Sequence, residues 1–365
     1  MRMMGLEQDK KRILQMVKDG KISIDEALSL LETLEEAEKK KESIQQLILY
    51  DEAKAESNES NHTSSTKTNF FNFINKAIEK MKEIEFDFHH SVDVNHVFYE
   101  KMLDINEINV DITHGSLTIY SWDQADTRVE CMGKVYREKD KEEAKRKFFE
   151  GISFRIENGI LSFSSKQKLI KTDVVLYIPS AQYEKIKAKL FHGHMKCEKL
   201  TAEEWEVKTT NGHIEGRDLK GRNGEFETGN GRISIIQSDM KNLEAETVNG
   251  TIRTEGEFQE LDLKTMSGKI FCTAQNDTVE KICAKTVTSS VQILLNENVE
   301  PSGELKTNLG NIDINFDGIY LTEDKKDFAQ KKISFQSFTQ KQPSLLLLVE
   351  SKTGSILVEP LKNNW

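Results

Sequence analysis

The sequence is poor in cysteine and proline, and it contains no long apolar run. Its 365 residues include four prolines and four cysteines, and no C-x-x-C spacing relates Cys131, Cys197, Cys272 and Cys283. The longest aliphatic run, residues 345–349, is far too short to cross a membrane, and the first residues contain no apolar stretch typical of a secretory signal. We therefore expect a cytoplasmic protein without a transmembrane helix, with reduced cysteines packed inside.

The chain also lacks an excess of positive charge. The chain has 61 acidic and 51 basic residues, a net charge of −10, and no dense cluster of lysine and arginine. We therefore expect no nucleic-acid partner. No G-x-S-x-G, H-E-x-x-H, P-loop or dinucleotide-binding motif occurs. On this basis we assign no catalytic residue and no cofactor.

The most informative stretch of the chain is a repeated phrase between residues 190 and 274. It reads LFHGHM, TTNGHI, TGNGRI, TVNGTI and TMSGKI. Its glycines are separated by steps of 19, 19, 19 and 18 residues. A fixed period of this size is typical of repeat architectures.

Each repeat predicts two strands joined at a sharp corner. Apolar and polar residues alternate before the glycine, as in Leu243, Ala245 and Thr247, and this period is typical of strands. Asparagine and glycine tolerate positive φ more readily than bulky residues do. We therefore place corners at Gly193, Asn211, Gly212, Asn230, Gly231, Asn249, Gly250, Gly268, Gly310 and Gly354. Gly256 lies outside this slot, and we expect it to be less constrained.

Two architectures are compatible with this unit. The constant period favours a mainly β fold, a single-stranded β-helix-like solenoid of about 19-residue coils, because stacked coils must stay in register. The returning isoleucines then predict an inward ladder of Ile214, Ile233, Ile252 and Ile270. The alternative is an antiparallel meander or sandwich, because Asn-Gly between alternating runs is also a strong hairpin signal.

The rest of the chain predicts further segments. Helical periodicity and a capping box indicate a helical hairpin module over residues 1–56, and the polar stretch 57–69 reads as a flexible linker. The β-repeat domain spans residues 89–365, with regular coils over 190–275 and an insertion over 317–342.

Residues 70–88 predict an amphipathic helix beside the linker. The apolar positions recur at helical spacing and include Phe70, Phe71, Ile74, Ile78 and Met81. Most amphipathic helices pack on a core, so this one is expected to cap the β domain. The alternative is a helix that binds a partner protein or the membrane interface.

One cluster at a corner could suggest a metal site. His192 and His194 flank Gly193, and Cys197 follows. However, His192 occupies the position that Asn211, Asn230 and Asn249 occupy in other repeats, and histidine is also enriched at positive φ. Because no further ligand follows at recognisable spacing, we expect a structural corner and no metal.

The order of these segments resembles a bacterial family of β-strand-repeat proteins known as putative adhesins. Residues 9–34, residues 75–98 and the T-x-N-G-x-I repeats carry the resemblance. It implies a SHOCT-like amino-terminal module and a non-enzymatic role in the cell-envelope stress response, at the inner face of the membrane. It also implies membrane-associated partners of the phage-shock type, with peripheral membrane contact. We expect the helical module to serve in recognition or regulation and the β-solenoid to be a rigid body.

Two alternatives to that function remain. The family label suggests a surface adhesin, which would have to reach the cell surface by a non-standard route. A polysaccharide-active β-helix enzyme is the second alternative. Such an enzyme needs long loops that build a groove and bring carboxylates together, whereas these repeats are short and uniform.

Overall fold

A computed structural model describes residues 91–101, 104–327, 330–338 and 344–361. All of these residues lie in one compact unit, Phe73–Trp365. The predicted helical module, linker and amphipathic helix, residues 1–56, 57–69 and 70–88, lie outside the described residues. In the described part of the chain, no helix is long and apolar enough to cross a membrane.

The described chain consists of strands and one helix. The strands are β1 (Ser91–Glu100), β2 (Glu107–His114), β3 (Leu117–Trp122), β4 (Thr127–Tyr136), β5 (Ile152–Glu157), β6 (Ile160–Ser165), β7 (Ile170–Pro179), β8 (Gln182–His192), β9 (Met195–Asn211), β10 (Ile214–Asn230), β11 (Ile233–Asn249), β12 (Ile252–Ser267), β13 (Ile270–Ala274), β14 (Lys281–Thr286), β15 (Val291–Leu295), β16 (Pro301–Thr307), β17 (Ile312–Ile314), β18 (Ile319–Asp327), β19 (Gln330–Ser337), β20 (Leu345–Ser351) and β21 (Ile356–Pro360). The helix, α1, is Lys141–Gly151, and the Asp140 carboxylate caps it by accepting a 2.8 Å hydrogen bond from the Glu143 amide.

The strands form two faces joined at the glycine corners. The first face holds the strand segments that precede each corner, and the second face holds those that follow it. In the middle of the domain β9, β10, β11 and β12 each contribute to both faces and pair in parallel. The predicted β-solenoid is thus confirmed. Antiparallel pairing, the alternative, occurs only towards the two ends.

Register explains the period seen in the sequence. Thr209 pairs with Thr228, and Thr228 pairs with Thr247, so each coil advances by 19 residues. A register shift between Ile236 and Ser238 of β11 leaves β12 one residue shorter, which accounts for the single step of 18.

Coil order departs from chain order at both ends. On the first face β2 lies between β6 and β8, and on the second face β3 lies between β7 and β9. At the other end β20 lies between β14 and β16, and β21 lies between β15 and β17. The carboxy-terminal coil therefore sits inside the stack rather than at its end.

Antiparallel elements complete the two ends. At the amino-terminal end β4 pairs with β7 and β1, while α1 buries Ala144 and Phe148 against the core. At the other end the predicted insertion, residues 317–342, contains the hairpin β18–β19, which extends the first face from β16. Closing the ends with different elements shields the core that an open coil would expose.

The core lies between the two faces and is built from stacked ladders. Ile214, Ile233, Ile252 and Ile270 are in register and no more than 2% exposed, which confirms the inward isoleucine ladder. Three cysteines, Cys131, Cys197 and Cys272, are buried, whereas Cys283 is half-buried, and all four are free thiols. Continuous apolar stacking of this kind joins each coil to its neighbours.

Two of the predicted corner glycines, Gly193 and Gly231, have positive φ values of 156° and 158°, but Gly250 is required for a different reason from the one expected. Gly250 does not have a positive φ, and neither does Asn249. A Cβ atom on Gly250 would lie 1.8 Å from the carbonyl oxygen of Gly231 in the preceding coil. Close backbone approach, not a left-handed conformation, therefore selects glycine here.

The opposite corner of each coil was not identified from the sequence. There Lys199, Asp218 and Gln237 have φ values of 55°, 52° and 53°, at steps of 19 residues. In the next coil Gly256 occupies the same turn and has a φ of 155°. A Cβ atom on Gly256 would lie 1.9 Å from the Ser238 carbonyl oxygen. The expectation that Gly256 is less constrained is therefore wrong.

Candidate binding surface

The corner edge is held together by side-chain ladders. Asn249 donates a 3.0 Å hydrogen bond from its amide nitrogen to the side-chain oxygen of Asn230, which donates a 2.8 Å bond to Asn211. The threonines before the corner point inward, and each donates to a glycine carbonyl in the preceding coil, as Thr247 does to Gly231 at 3.0 Å. These polar groups satisfy one another, so the corner residues carry structure rather than chemistry.

The remaining sequence-predicted corners have the same placement. Gly193, Gly212, Gly231, Gly268, Gly310 and Gly354 all lie in gaps between consecutive strands. A Cβ on Gly212, Gly268 or Gly354 would meet a backbone carbonyl oxygen at 2.0 Å or less. The candidate interaction helix, with Phe70, Phe71, Ile74, Ile78 and Met81, lies outside the described residues.

The histidines at this edge act as acceptors for the backbone. His194 accepts a 2.9 Å hydrogen bond at Nδ1 from the His213 amide, and His213 accepts one of 3.1 Å at Nδ1 from the Arg232 amide. A neutral imidazole that accepts at Nδ1 carries its proton on Nε2, which then has no lone pair for a metal. Burial, together with the charges of His194 and Arg232, lowers the pKa of His213.

The other members of the cluster that was considered for metal binding, and not expected to bind one, also have structural contacts. His192 packs against His114, with ring centroids 5.1 Å apart and the ring planes tilted by 57°. Burial, followed by the charge of His114, lowers the pKa of His192 to about 4. Cys197 is buried in the core, and burial raises its pKa to about 12. Among residues that the structure describes, no group of three or more such side chains is placed to hold a metal ion.

The outer surface of the first face is a layer of ion pairs. Glu206 contacts Lys187 at 2.6 Å and Lys189 at 3.1 Å. Although partial burial favours the neutral acid, these two lysines lower the pKa of Glu206 to about 2. Carboxylates that are paired with lysines in this way stabilise cross-strand pairing. Because their pKa is low, they are poorly suited to act as general bases.

One carboxylate in this layer is unusual. The Glu227 side chain is only 3% exposed, and it lies 3.2 Å from the ammonium nitrogen of Lys208, which also contacts Glu225 at 2.6 Å. Burial raises the pKa of Glu227 to about 8; the attraction of Lys208 opposes this shift and Glu225 adds to it. The Glu227 carboxyl therefore holds its proton to a higher pH than an exposed glutamate does.

The second face carries a different surface at its amino-terminal end. The outward side chains Tyr120, Tyr177, Arg128 and Tyr99 form one in-register row across β3, β7, β4 and β1. The rings of Tyr120 and Tyr177 stack with centroids 5.8 Å apart, and Trp122 lies 5.3 Å from Tyr177. We call these five residues the aromatic face.

Cations and polar groups support the aromatic face. The Arg128 guanidinium lies 5.7 Å from the ring centre of Tyr177, close enough for a cation–π interaction. The Trp122 indole donates a 2.7 Å hydrogen bond to the Asp126 carbonyl oxygen, and the Tyr99 hydroxyl donates to the Asp126 carboxylate. This hydrogen bond raises the pKa of Tyr99. The rings are thus held in fixed orientations while remaining partly exposed.

Sequence reasoning did not identify the aromatic face. Its local signal was present, since LTIYSW places Tyr120 and Trp122 at outward positions of an alternating strand. What could not be foreseen was the position of β7, which follows β3 by some 50 residues in the chain and yet pairs with it. Only this pairing brings Tyr177 between Tyr120 and Arg128.

Comparisons with known proteins identify two regions of the chain. A family model described as Toastrack DUF4097 matches residues 105–354, and a model described as a SHOCT-like domain matches residues 8–39. The chain is 40% identical over 362 residues to the "Uncharacterized protein YvlB" of Bacillus subtilis (strain 168). That alignment covers 96% of this chain and 98% of the relative.

Solved structures of low sequence identity also resemble the chain. A "putative lipid binding protein" from Parabacteroides distasonis ATCC 8503 is 14% identical, with a TM-score of 0.42, covering 73% of this chain and 97% of that one. A "putative adhesin" from Bacteroides fragilis NCTC 9343 is 11% identical, with a TM-score of 0.40, covering 75% and 98%. These likenesses are too weak to carry an argument about function.

Proposed function

The chain belongs to the Toastrack DUF4097 family, and from that membership we propose a non-enzymatic binding protein of the bacterial cell-envelope stress response. In this proposal the β-solenoid binds a protein partner at the membrane, of the phage-shock type that the resemblance implies. The amino-terminal segment that matches a SHOCT-like domain regulates the response. The aromatic face is the binding site.

The composition of the aromatic face is the observation that carries this proposal. Tyrosine, tryptophan, arginine and methionine are enriched in protein interfaces, whereas lysine and glutamate are depleted there. The aromatic face combines three tyrosines, a tryptophan and Arg128, and Met132 on the same outer surface is 52% exposed. Rigid aromatic side chains of this kind provide much of the binding energy in interfaces.

The fold itself does not require aromatic residues at these positions. Along the same outward row of the second face, the residues after Tyr120 are Glu198, Arg217, Ile236 and Glu255. These coils stack equally well with charged or aliphatic side chains there. The aromatic residues are therefore best explained by a contact with another molecule.

The chemistry of the described residues supports a binding role rather than catalysis. Burial raises the pKa of Cys131, Cys197 and Cys272 to about 12, so these thiols stay protonated and unreactive. Carboxylates such as Glu206 are held in ion pairs on a flat surface.

Photo-crosslinking in stressed cells would test the binding site. A photoreactive residue at position 177 should trap a membrane-associated protein, and the same residue at position 271 should not. Phe271 is the control because it is also partly exposed on the second face, but lies in β13, away from the aromatic face. The variant Tyr177→Ala should weaken binding of the trapped protein by about tenfold or more. Equal trapping at both positions would contradict the proposed site.

Truncation would test the proposed division of roles. A chain of residues 70–365 should retain the partner but lose the stress response, because the SHOCT-like match lies within residues 8–39. Loss of partner binding on truncation would instead assign recognition to the amino-terminal module. Fractionation of the same cells distinguishes the proposed location at the inner face of the membrane from the alternative, an adhesin at the cell surface.

A further inference from the structure

Within the described ranges, which begin at residue 91, the strand β1 is an open sheet edge with unusual properties. Among the described strands, β1, β5, β17 and β18 each have a neighbour on one side only. An open edge presents unpaired amide and carbonyl groups, and natural proteins protect such edges by shortness, bulges, lysine or proline. The four edges can therefore be compared for these protective features.

Three of the edges are protected. β17 has three residues, and β5 has six and carries the charges of Arg155 and Glu157. β18 contains Lys325 and Lys326, and its pairing with β19 is interrupted between Leu321 and Glu323. Each feature discourages the addition of another strand.

The strand β1 has the fewest of these features, because its charged residues, Asp93 and Glu100, occupy only two of its ten positions. It runs for ten residues, SVDVNHVFYE, without lysine or proline, and pairs with β4 in unbroken register. Its side chains Val97 and Tyr99 are 49% and 47% exposed. A long, regular edge with exposed apolar side chains is the kind that pairs readily with another strand.

We propose that the occupant of this edge is β1 of a second copy of the chain, paired antiparallel about a twofold axis at Asn95. Facing residues of an antiparallel pair lie on the same side of the sheet, whereas neighbouring residues of one strand lie on opposite sides. A twofold axis between two neighbours would make them face each other, so the axis must pass through a residue. An axis at Asn95 or at His96 gives the greatest overlap, nine residues in each case.

Side-chain pairing favours the axis at Asn95. There the two Asn95 amides face each other, and each can donate to the other. Asp93 then faces Val97, so no like charges are opposed, and Val92 faces Phe98 on the inner side. An axis at His96 would instead oppose two imidazoles on the inner side. An interface of this kind is isologous and closes at two copies.

The mass of the full-length protein in solution provides the first test. A chain of 41.8 kDa should sediment as a dimer in the micromolar range, with twice that mass. Val97→Lys should convert it to a folded monomer with an unchanged circular dichroism spectrum, because Val97 is half exposed in the single chain. Leu346→Lys is the control, since Leu346 is 41% exposed but lies in β20, which has neighbours on both sides. A monomeric wild type, or a dimer unaffected by Val97→Lys, would overturn the proposal.

Disulfide formation tests the register. With the axis at Asn95, two cysteines at position 95 would have Cα atoms about 5 Å apart, within disulfide range. Two cysteines at position 97 would be about 13 Å apart along the strands. Mild oxidation should therefore crosslink Asn95→Cys into a dimer, but not Val97→Cys or the unsubstituted chain. Crosslinking of Val97→Cys alone, or of neither variant, would refute this register.

Discussion

The Thr247 hydroxyl donates a 3.0 Å hydrogen bond to the carbonyl oxygen of Gly231, sixteen residues earlier and one coil away. Thr228 makes the same bond to Gly212 at 2.9 Å, and Thr265 makes it to Gly250 at 3.0 Å. Each bond joins the end of one strand to the corner of the preceding coil. The recurrence of threonine in the repeat thus has a physical cause.

Replacing Thr247 with valine should therefore destabilise the fold. The change keeps the shape of the side chain but leaves the partly buried Gly231 carbonyl without this donor, at a cost of about 1 kcal/mol. Chemical denaturation would measure the change in the free energy of unfolding. Thr254→Val is a matched control. The Thr254 hydroxyl is also buried, but in the described structure its polar neighbour is the Cys272 thiol, and it makes no hydrogen bond to a nitrogen or an oxygen. Its loss should cost less than about 0.5 kcal/mol, and equal losses would contradict the ladder.

Adding a single methyl group at a corner should be severely destabilising. A Cβ at Gly250 would lie 1.8 Å from the Gly231 carbonyl oxygen, so Gly250→Ala must push two stacked coils apart, at about 3 kcal/mol or more. Gly256→Ala should cost a similar amount, because its Cβ would lie 1.9 Å from the Ser238 carbonyl oxygen.

A third glycine separates steric contact from backbone strain. Gly318 has a φ of +73° but open space around it, so Gly318→Ala should cost only about 1 kcal/mol, the strain of the left-handed conformation. Thermal melts of the three variants provide the measurement. A loss at Gly250 no larger than that at Gly318 would contradict the claim that coil contact selects glycine at this corner.

Replacing one isoleucine of the inward ladder with a charged residue should prevent folding. Ile252→Asp would bury an unpaired carboxylate between Ile233 and Ile270, which costs several kcal/mol. Thr251→Asp, one residue earlier, should be tolerated because Thr251 is partly exposed. Circular dichroism and solubility of the two variants at neutral pH provide the measurement. Similar behaviour of both would mean that the facing of β12 is wrong.

Stability should fall as the pH rises through neutrality, because of Glu227. Its pKa in the folded protein, about 8, lies above the value of about 4.3 expected for an unfolded glutamate. The folded state therefore retains a proton that the unfolded state releases, and the stabilisation is complete below pH 4.3, declines as the pH rises, and is lost above about 8. Glu227→Gln removes this contribution, so its melting temperature should vary less between pH 6 and 9 than that of the wild type.

A neighbouring substitution checks the cause of that shift. Glu225→Gln removes a negative charge that raises the pKa of Glu227, so it should produce a pH dependence between those of the wild type and Glu227→Gln. If the wild type and Glu227→Gln show the same dependence on pH, the raised pKa would be refuted.

Much of the β-solenoid could be predicted because its repeat is local and regular. The spacing of the glycines is the length of one coil, and the alternation around Ile252 shows which side faces inward. The position of the corners also followed from the sequence, but their cause did not. Whether Gly250 is required for its φ or for the approach of Gly231 depends on a residue 19 positions away.

The second corner and the end coils had weaker signals. Lys199, Asp218 and Gln237 share a left-handed backbone but no common chemistry, so no residue pattern marks the turn. β2 pairs with β6, and β3 pairs with β7, although the partners lie far apart in the chain. The insertion of β2 and β3 before the next coil depends on this pairing. Local preferences do not encode such an order.

The sequence by itself thus determined the coil, its period and its inward face, because each depends on residues within one or two repeats. Only the tertiary structure decided the order of the end coils, the row that joins Tyr177 to Tyr120 and Arg128, and the open edge of β1. These features arise where strands distant in sequence compete for the same neighbours. That competition is settled by the packing of the whole stack and by the closure of its ends.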